Sequence, residues 1–163
     1  MRTIRRRRRE AKTDFPARLA LLKSGKPRIV VRRTNRYILA QIIKSETAKD
    51  KVLFGVNSKD LIALGWPADS SGSLKNRTAA YLTGYALASK AVASGVKSAV
   101  ADLGLHRNIH KSRIYAVIKG AIDTGLVIPC GKEALPEEKD LSTDKEMISM
   151  LSKIKTKLGG KHA

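Results

Sequence analysis

The chain has 163 residues, of which 33 are Lys or Arg and 14 are Asp or Glu, giving a formal net charge of +19 at pH 7. This excess indicates a polyanionic partner, and the 42% of hydrophobic residues suffice for one buried core, which excludes a wholly disordered chain. A single cysteine excludes an internal disulfide, and no apolar run approaches the roughly 20 residues that span a bilayer. We expect a reducing, cytoplasmic setting, no secretory signal and no membrane partner.

A basic N-terminal arm, residues 1–12, is the first predicted element. Residues 1–36 hold 14 Lys or Arg but only two acids, and the densest part is the run from Arg5 to Arg9. Because these guanidiniums repel one another, we expect the arm to be disordered until it meets RNA. Arg also matches phosphate oxygens well, which favours a nucleic acid. A solubilising tail, a nuclear-import signal and a membrane-surface patch stay open for the arm alone.

A β-hairpin follows a short helix that Asp14 caps and Gly25 ends. Two β-branched runs, 28–34 and 37–43, flank the loop 35–36, and a two-residue loop fixes which residues pair. One face of this hairpin is predicted to be core, and the opposite face to be basic and mixed. The core face comprises Ile29, Val31, Ile38, Ala40 and Ile42, with Arg33 near the turn. The opposite face comprises Arg28, Val30, Arg32, Thr34, Tyr37, Leu39, Gln41 and Ile43.

The remaining sequence predicts further strands and helices. They are a third antiparallel strand (51–56), a short helix capped by Ser58, a long helix (76–94), a buried strand (96–103), a helix from Ser112 to Gly125, an extended run (126–128) and an amphipathic helix or partly ordered tail (143–158). In the long helix, a stripe of mostly small residues is expected to pack on the sheet, namely Ala80, Gly84, Leu87 and Ala91.

This order of elements predicts an α/β fold, in which a mixed β-sheet is covered by helices as an α/β sandwich. The predicted organisation is the basic arm (1–12), a single α/β domain (13–138) and a C-terminal helical extension (139–163). No internal repeat is found, and no self-association is expected.

Metal and nucleotide motifs are incomplete in this sequence. His106 and His110 have a spacing found in metal-binding helices, but no acid or thiol pair lies nearby to complete a ligand set. Gly120 and Gly125 have the spacing of P-loop glycines, yet Leu126 stands in place of the essential Lys. We therefore predict no metal, no cofactor and no nucleotide-hydrolysing site.

Catalytic side chains are equally hard to assemble. Asp102 ends an apolar strand, but with no second carboxylate or Ser/His pair to assign, a turn or packing hydrogen bond is the better interpretation. Cys130 has no identifiable base and is predicted to be an inert thiol. The protein is therefore not expected to be an enzyme.

A positive surface is what the sequence does predict. For the hairpin alone, a solvated sheet face explains the basic residues equally well. The hairpin and the basic arm together favour RNA binding. Because Arg28, Arg32 and Tyr37 lie opposite the core face, their replacement is expected to leave the fold intact. The loop before the Ser112 helix also suits phosphate contact. The predicted RNA-binding residues are Arg5, Arg6, Arg7, Arg8, Arg9, Lys12, Arg18, Lys26, Arg28, Arg32, Asn35, Arg36, Tyr37, His106, Arg107, Lys111 and Arg113.

Four segments resemble large-subunit ribosomal protein family eighteen, archaeal branch. They are RRRREAKTDFPARLALLKSGKPRIVVRRTNRYILAQII (6–43), AAYLTGYALASKA (79–91), VADLGL (100–105) and SRIYAVIKGAIDTGLVIP (112–129). The resemblance covers roughly residues 5–138 in unbroken order. The C-terminal segment LSTDKEMISMLSKIKTKLGGKHA departs from the family pattern, so its contacts cannot be carried over.

The resemblance implies a structural protein of the large ribosomal subunit that binds 5S rRNA in the central protuberance and has no catalytic activity. In that family the arginine-rich arm and first hairpin face 5S rRNA, which implies that Thr13 and Arg33 are RNA contacts here as well. Family members also contact large-subunit rRNA and the neighbouring family-five protein. The alternative class is a free RNA- or DNA-binding protein, regulatory or nucleic-acid-compacting, that uses the same arm. Composition cannot separate the two, because phosphate attraction is largely independent of sequence.

Overall fold

The computed structural model describes residues 9–46, 49–67, 74–141 and 145–159. The helices are α1 (Phe15–Lys23), α2 (Arg77–Ala93), α3 (Arg113–Asp123), α4 (Glu138–Leu141) and α5 (Lys145–Gly159). The strands are β1 (Arg28–Arg33), β2 (Ile38–Glu46), β3 (Lys49–Asn57) and β4 (Val100–Asp102). Single 3₁₀ turns occupy Ser58–Leu61 and Lys132–Ala134. The predictions for Arg5 to Arg8 lie outside the described residues.

The four strands form a mixed sheet in the order β3-β2-β1-β4, which confirms the predicted α/β class. The hairpin register is the predicted one, with Arg33 opposite Ile38 and Arg28 opposite Ile43. Strand β4 runs parallel to β1, but it is shorter than the predicted strand 96–103. The chain pairs elsewhere before β4, because Ala99 N–H donates to Val127 O and Ser98 forms a parallel bridge to Val127.

The hydrophobic core lies between one sheet face and the helices α2 and α3. The predicted core face of the hairpin is fully buried at Ile29, Val31 and Ile42. The small-residue stripe of α2, which was expected to pack on the sheet, also packs against helix α3 at Gly84. A Cβ on Gly84 would lie 2.0 Å from the Val117 carbonyl oxygen of α3, so only glycine permits this approach.

Helix ends follow the sequence signals with two corrections. The Asp14 carboxylate accepts from Ala17 N–H at 3.1 Å, which confirms the predicted cap of α1. The 3₁₀ turn after β3 is capped by Asn57 instead of Ser58, because the buried Ser58 hydroxyl accepts from Ile38 N–H. Ser112 precedes α3, but its side chain makes no capping hydrogen bond.

The C-terminal helix α5 packs against the domain, so residues 145–159 are not a loose tail. Ile154 and Leu158 are buried in the main core, and the Lys155 ammonium lies 4.6 Å from the centre of the Tyr81 ring. The predicted amphipathic helix is therefore confirmed for these positions. The side chains of Met147 and Met150 lie outside the described residues.

Candidate nucleic-acid interface

A cleft of about 810 Å³ lies between α1, the end of β1 and the loop that follows β4. Its floor and walls include apolar side chains of Leu21 and Leu103. The fold brings to this cleft several residues that the sequence assigned to RNA binding. They are Lys12, Thr13, Arg18, Arg32, Arg33 and His106. The cleft therefore brings together basic side chains from the segment before α1, from α1 and from the end of β1, with His106 added from the loop after β4.

Arg28 does not belong to this exposed surface, which corrects its assignment as an RNA contact. Its side chain is only 2% exposed, and its guanidinium donates to Asp102 Oδ2 at 2.5 Å. It also donates to Ser45 Oγ and Asp50 Oδ1, both at 3.0 Å. The sheet face was assigned correctly, but carboxylates from β3 and β4 close over this position and make Arg28 a structural residue.

Asp50 connects the buried pair to helix α1. Its Oδ2 accepts from Arg18 Nη2 at 2.7 Å, while Oδ1 accepts from Arg28 and Ser45. Burial alone would raise the pKa of Asp50, but hydrogen bonds from Ser45 and Arg18 and the two guanidinium charges hold it below its usual value. Since α1 has no buried residue, this ion pair is a main attachment of the helix to the sheet.

His106 connects the loop after β4 to the end of β1. Its Nε2 accepts from the backbone N–H of Arg33 at 3.2 Å, a bond that requires a neutral imidazole at that nitrogen. Burial lowers the pKa of His106, and the charges of Arg32 and Arg33 lower it further. His106 is therefore a neutral structural link, while His110 is exposed and contacts the edge of the Tyr115 ring.

The tip of the hairpin is an ordered, exposed and basic turn. Thr34 N–H donates to Tyr37 O at 2.9 Å, and Tyr37 N–H donates to Thr34 Oγ1 at 3.0 Å. Arg33, Asn35 and Arg36 are exposed, whereas Tyr37 is half-buried against the core. The tip therefore presents two guanidiniums and an amide, with a ring that is only partly available for stacking.

The loop before α3 offers fewer free cations than its sequence indicates. Lys111 has a left-handed backbone with φ +55°, and its ammonium lies 3.1 Å from Asp140 and 3.3 Å from Glu137. The hydrogen bond to Asp140, then that to Glu137, raises the pKa of Lys111. Arg107 is exposed and Arg113 is half-buried at the start of α3.

The described part of the arm continues the basic surface. Arg9, Lys12 and Lys26 are exposed, Thr13 is half-buried, and the Lys12 ammonium lies 3.1 Å from Glu10 Oε2. The remaining predicted contacts, Arg5, Arg6, Arg7 and Arg8, lie outside the described residues. The orientation of the main run of arginines thus stays a prediction.

Within the described residues, no group of three or more His, Cys, Asp and Glu side chains is arranged to hold a metal ion. Burial raises the pKa of the Cys130 thiol, which keeps it protonated and supports the prediction that it is inert. Asp102 forms ion pairs and accepts from Gly104 N–H, as the packing interpretation predicted. No described helix combines the length and apolar character needed to cross a membrane.

Comparison with known proteins identifies the family. Residues 1–101 match the family described as "Ribosomal large subunit proteins 60S L5, and 50S L18". The chain belongs to this family. Archaeal relatives named "Large ribosomal subunit protein uL18" are similar over most of the chain. The protein from Korarchaeum cryptofilum is 50% identical over 133 residues, or 82% of this chain and 66% of the relative. The protein from Methanoregula boonei is 45% identical over 136 residues, or 83% of this chain and 76% of the relative.

A third relative, from Aeropyrum pernix, is 43% identical over 135 residues, which cover 82% of this chain and 61% of the relative. The chain thus spans slightly less than two-thirds of the Korarchaeum and Aeropyrum proteins. The family match contains α1, the hairpin and the start of β4, whereas Asp102, Gly104 and His106 follow it directly. Most of the cleft is therefore built by the part of the chain that carries the family match.

Proposed function

We propose that this member of the ribosomal family binds 5S rRNA as a structural, non-catalytic constituent of the large ribosomal subunit. In this role it helps attach 5S rRNA to the large-subunit rRNA in the central protuberance, beside the family-five protein, and it acts in the cytoplasm. The names of its relatives support placement in the large subunit. The resemblance of its arm and hairpin to the archaeal family supports 5S rRNA as the RNA.

The observation that carries the proposal is the clustering of fixed cations around one end of the sheet. Lys12, Arg18, Arg32 and Arg33 line the cleft, and Arg36 extends the same positive surface to the hairpin tip. Cations that a folded sheet holds at defined positions can recognise where phosphates and sugars lie on a shaped RNA.

The balance of charges around Asp50 and Asp102 also supports binding of RNA. Asp102 and Asp50 are both engaged by arginines, and three arginines contact these two carboxylates. The cluster therefore retains a net positive charge where it borders the cleft. Phosphate binding there would add attraction without displacing the buried Arg28–Asp102 pair.

Co-sedimentation with large ribosomal subunits at moderate salt tests the proposal. The full chain is expected to travel with the large subunit and to remain when competitor DNA is added. If it is instead found in the soluble fraction or on the DNA, the protein is the free nucleic-acid-binding alternative. A variant lacking residues 1–9 separates arm-driven attraction from binding by the folded domain.

A further inference from the structure

Arg32 is held in a single orientation at the mouth of the cleft. Its Nη1 donates to Val31 O at 2.9 Å and to Asp102 O at 3.0 Å, and its Nη2 donates to Asp102 Oδ1 at 3.0 Å. These three hydrogen bonds fix the plane of a side chain that is still 39% exposed. An exposed arginine ordinarily keeps its rotamer freedom, so this degree of anchoring requires an explanation.

Gly104 supplies the second restraint. Its backbone has φ +60°, and a Cβ placed there would lie 2.8 Å from Arg32 Cζ and 3.0 Å from both terminal nitrogens. The glycine backbone therefore lies directly against the guanidinium. Any other residue would push Arg32 out of this position and would also strain the left-handed turn.

The anchoring leaves part of the guanidinium available. A guanidinium has five N–H donors, and three of them are used by the bonds to Val31 and Asp102. Among the residues that the structure describes, none accepts from the Nε–H or from the second Nη2–H of Arg32. An Nε–H and an Nη2–H are a donor set with which a guanidinium can bind two oxygens of one phosphate.

We propose that Arg32 is a preoriented receptor for one RNA backbone phosphate, and that Asp102 and Gly104 are the positioning residues that fix it. The inference rests on the proposed function, because RNA supplies the phosphate. Preorientation removes most of the entropy cost of ordering an arginine on binding. Arg32 should thus contribute to recognition of a particular backbone position, whereas the arm contributes general attraction.

The test is a double-mutant cycle of Arg32→Ala and Gly104→Ala, with affinities for archaeal 5S rRNA and for a non-ribosomal structured RNA of equal length. The cycle replaces Gly104 and not Asp102, because loss of the Asp102 carboxylate would also remove an ion-pair partner of the buried Arg28. Gly95→Ala is the matched control, since Gly95 has φ +83° but open space around its Cβ position. Circular dichroism verifies that each variant is folded.

We expect Arg32→Ala and Gly104→Ala each to lower 5S affinity about tenfold, with no further decrease in the double variant. Each should also make the slope of log affinity against log salt shallower by roughly 0.7 to 0.9, which is the contribution of one phosphate contact. Gly95→Ala should bind as the wild type does. Additive decreases, or an equal decrease in Gly95→Ala, would overturn the positioning role. A wild-type chain that does not prefer 5S rRNA would instead contradict the proposed function, and the cycle can then be measured on the other RNA.

Discussion

Arg28 of β1 and Asp102 of β4 form a buried ion pair, with Arg28 Nη1 2.5 Å from Asp102 Oδ2 and the two side chains 2% and 9% exposed. The pair joins the only parallel strands of the described sheet and lies directly behind Arg32, which contacts the same carboxylate. One carboxylate thus serves both the stability of the sheet edge and the geometry of the cleft.

Replacing Asp102 with Asn should destabilise the fold by about 3 kcal/mol, because Arg28 would keep a buried charge with only Asp50 to compensate it. Urea denaturation at pH 7 measures the change. Glu133→Gln, at an exposed position, is the control and should change the free energy of unfolding by less than about 0.5 kcal/mol. Equal stabilities of the two variants would show that the buried pair is not important for folding.

Gly84→Ala should destabilise the protein although alanine favours an isolated helix by about 1 kcal/mol. The new methyl group would meet the Val117 carbonyl, and overpacking of this kind costs about 1–3 kcal/mol. Gly131→Ala, where a Cβ has open space, provides the comparison. The melting temperature of each variant is measured by thermal unfolding. A higher melting temperature for Gly84→Ala would contradict the close approach of α2 and α3.

His106 should make the protein less stable as the pH falls below about 6.5. Its pKa is lowered in the folded state, so the unfolded chain binds a proton first as pH falls below about 6.5. The stabilisation given by neutral His106 is therefore complete above this pH and is lost as pH falls through the folded-state pKa. The free energy of unfolding of wild type relative to His106→Gln should decrease as the pH is lowered. A constant difference would argue against the bond to Arg33 N–H.

The hairpin tip should contribute to the choice of RNA. Replacing Arg33 and Arg36 with Ala should reduce the preference for 5S rRNA over an unrelated RNA of equal length several-fold, because an ordered turn places these cations at defined positions along the RNA backbone. The control variant replaces the exposed Lys90 and Lys97, which removes the same charge. Both variants should remain folded, since none of the four side chains is buried. An equal change of preference in both would indicate that only net charge matters.

Removing residues 1–9 should weaken binding to 5S rRNA and to unrelated RNA alike. The arm gathers phosphates without reading their arrangement, and the salt dependence of log affinity should flatten by roughly 0.7 to 0.9 for each phosphate that the shortened chain no longer neutralises. Titrations at several salt concentrations measure this slope. A variant whose affinity fell for 5S rRNA alone would assign specific recognition to the arm.

The hairpin was predictable because its signals are local. A strand has a period of two and the loop has two residues, so the register and the core face through Ile29, Val31 and Ile42 followed from the sequence. The cap at Asp14 is likewise set by a few neighbouring residues, as are the helix ends at Gly25 and Gly125, where the glycine backbone has a positive φ.

The environment of Arg28 could not be predicted in the same way. Its partners Asp50 and Asp102 lie 22 and 74 residues away, and only the parallel pairing of β4 with β1 brings the second one close. The expectation that Arg28 could be replaced with the fold intact was therefore wrong. The same distance in sequence hid the role of Gly104, whose only local signal is a glycine after a strand.

The most direct measurement of the central claim is equilibrium competition between archaeal 5S rRNA and a structured control RNA of equal length for the full chain at moderate salt. We predict that 5S rRNA displaces the control at substoichiometric amounts and that the preference persists as salt is raised, because recognition depends on the fixed surface around Arg32, Arg33 and Arg36. Equal displacement by both RNAs at every salt concentration would contradict the assignment of this protein to 5S rRNA.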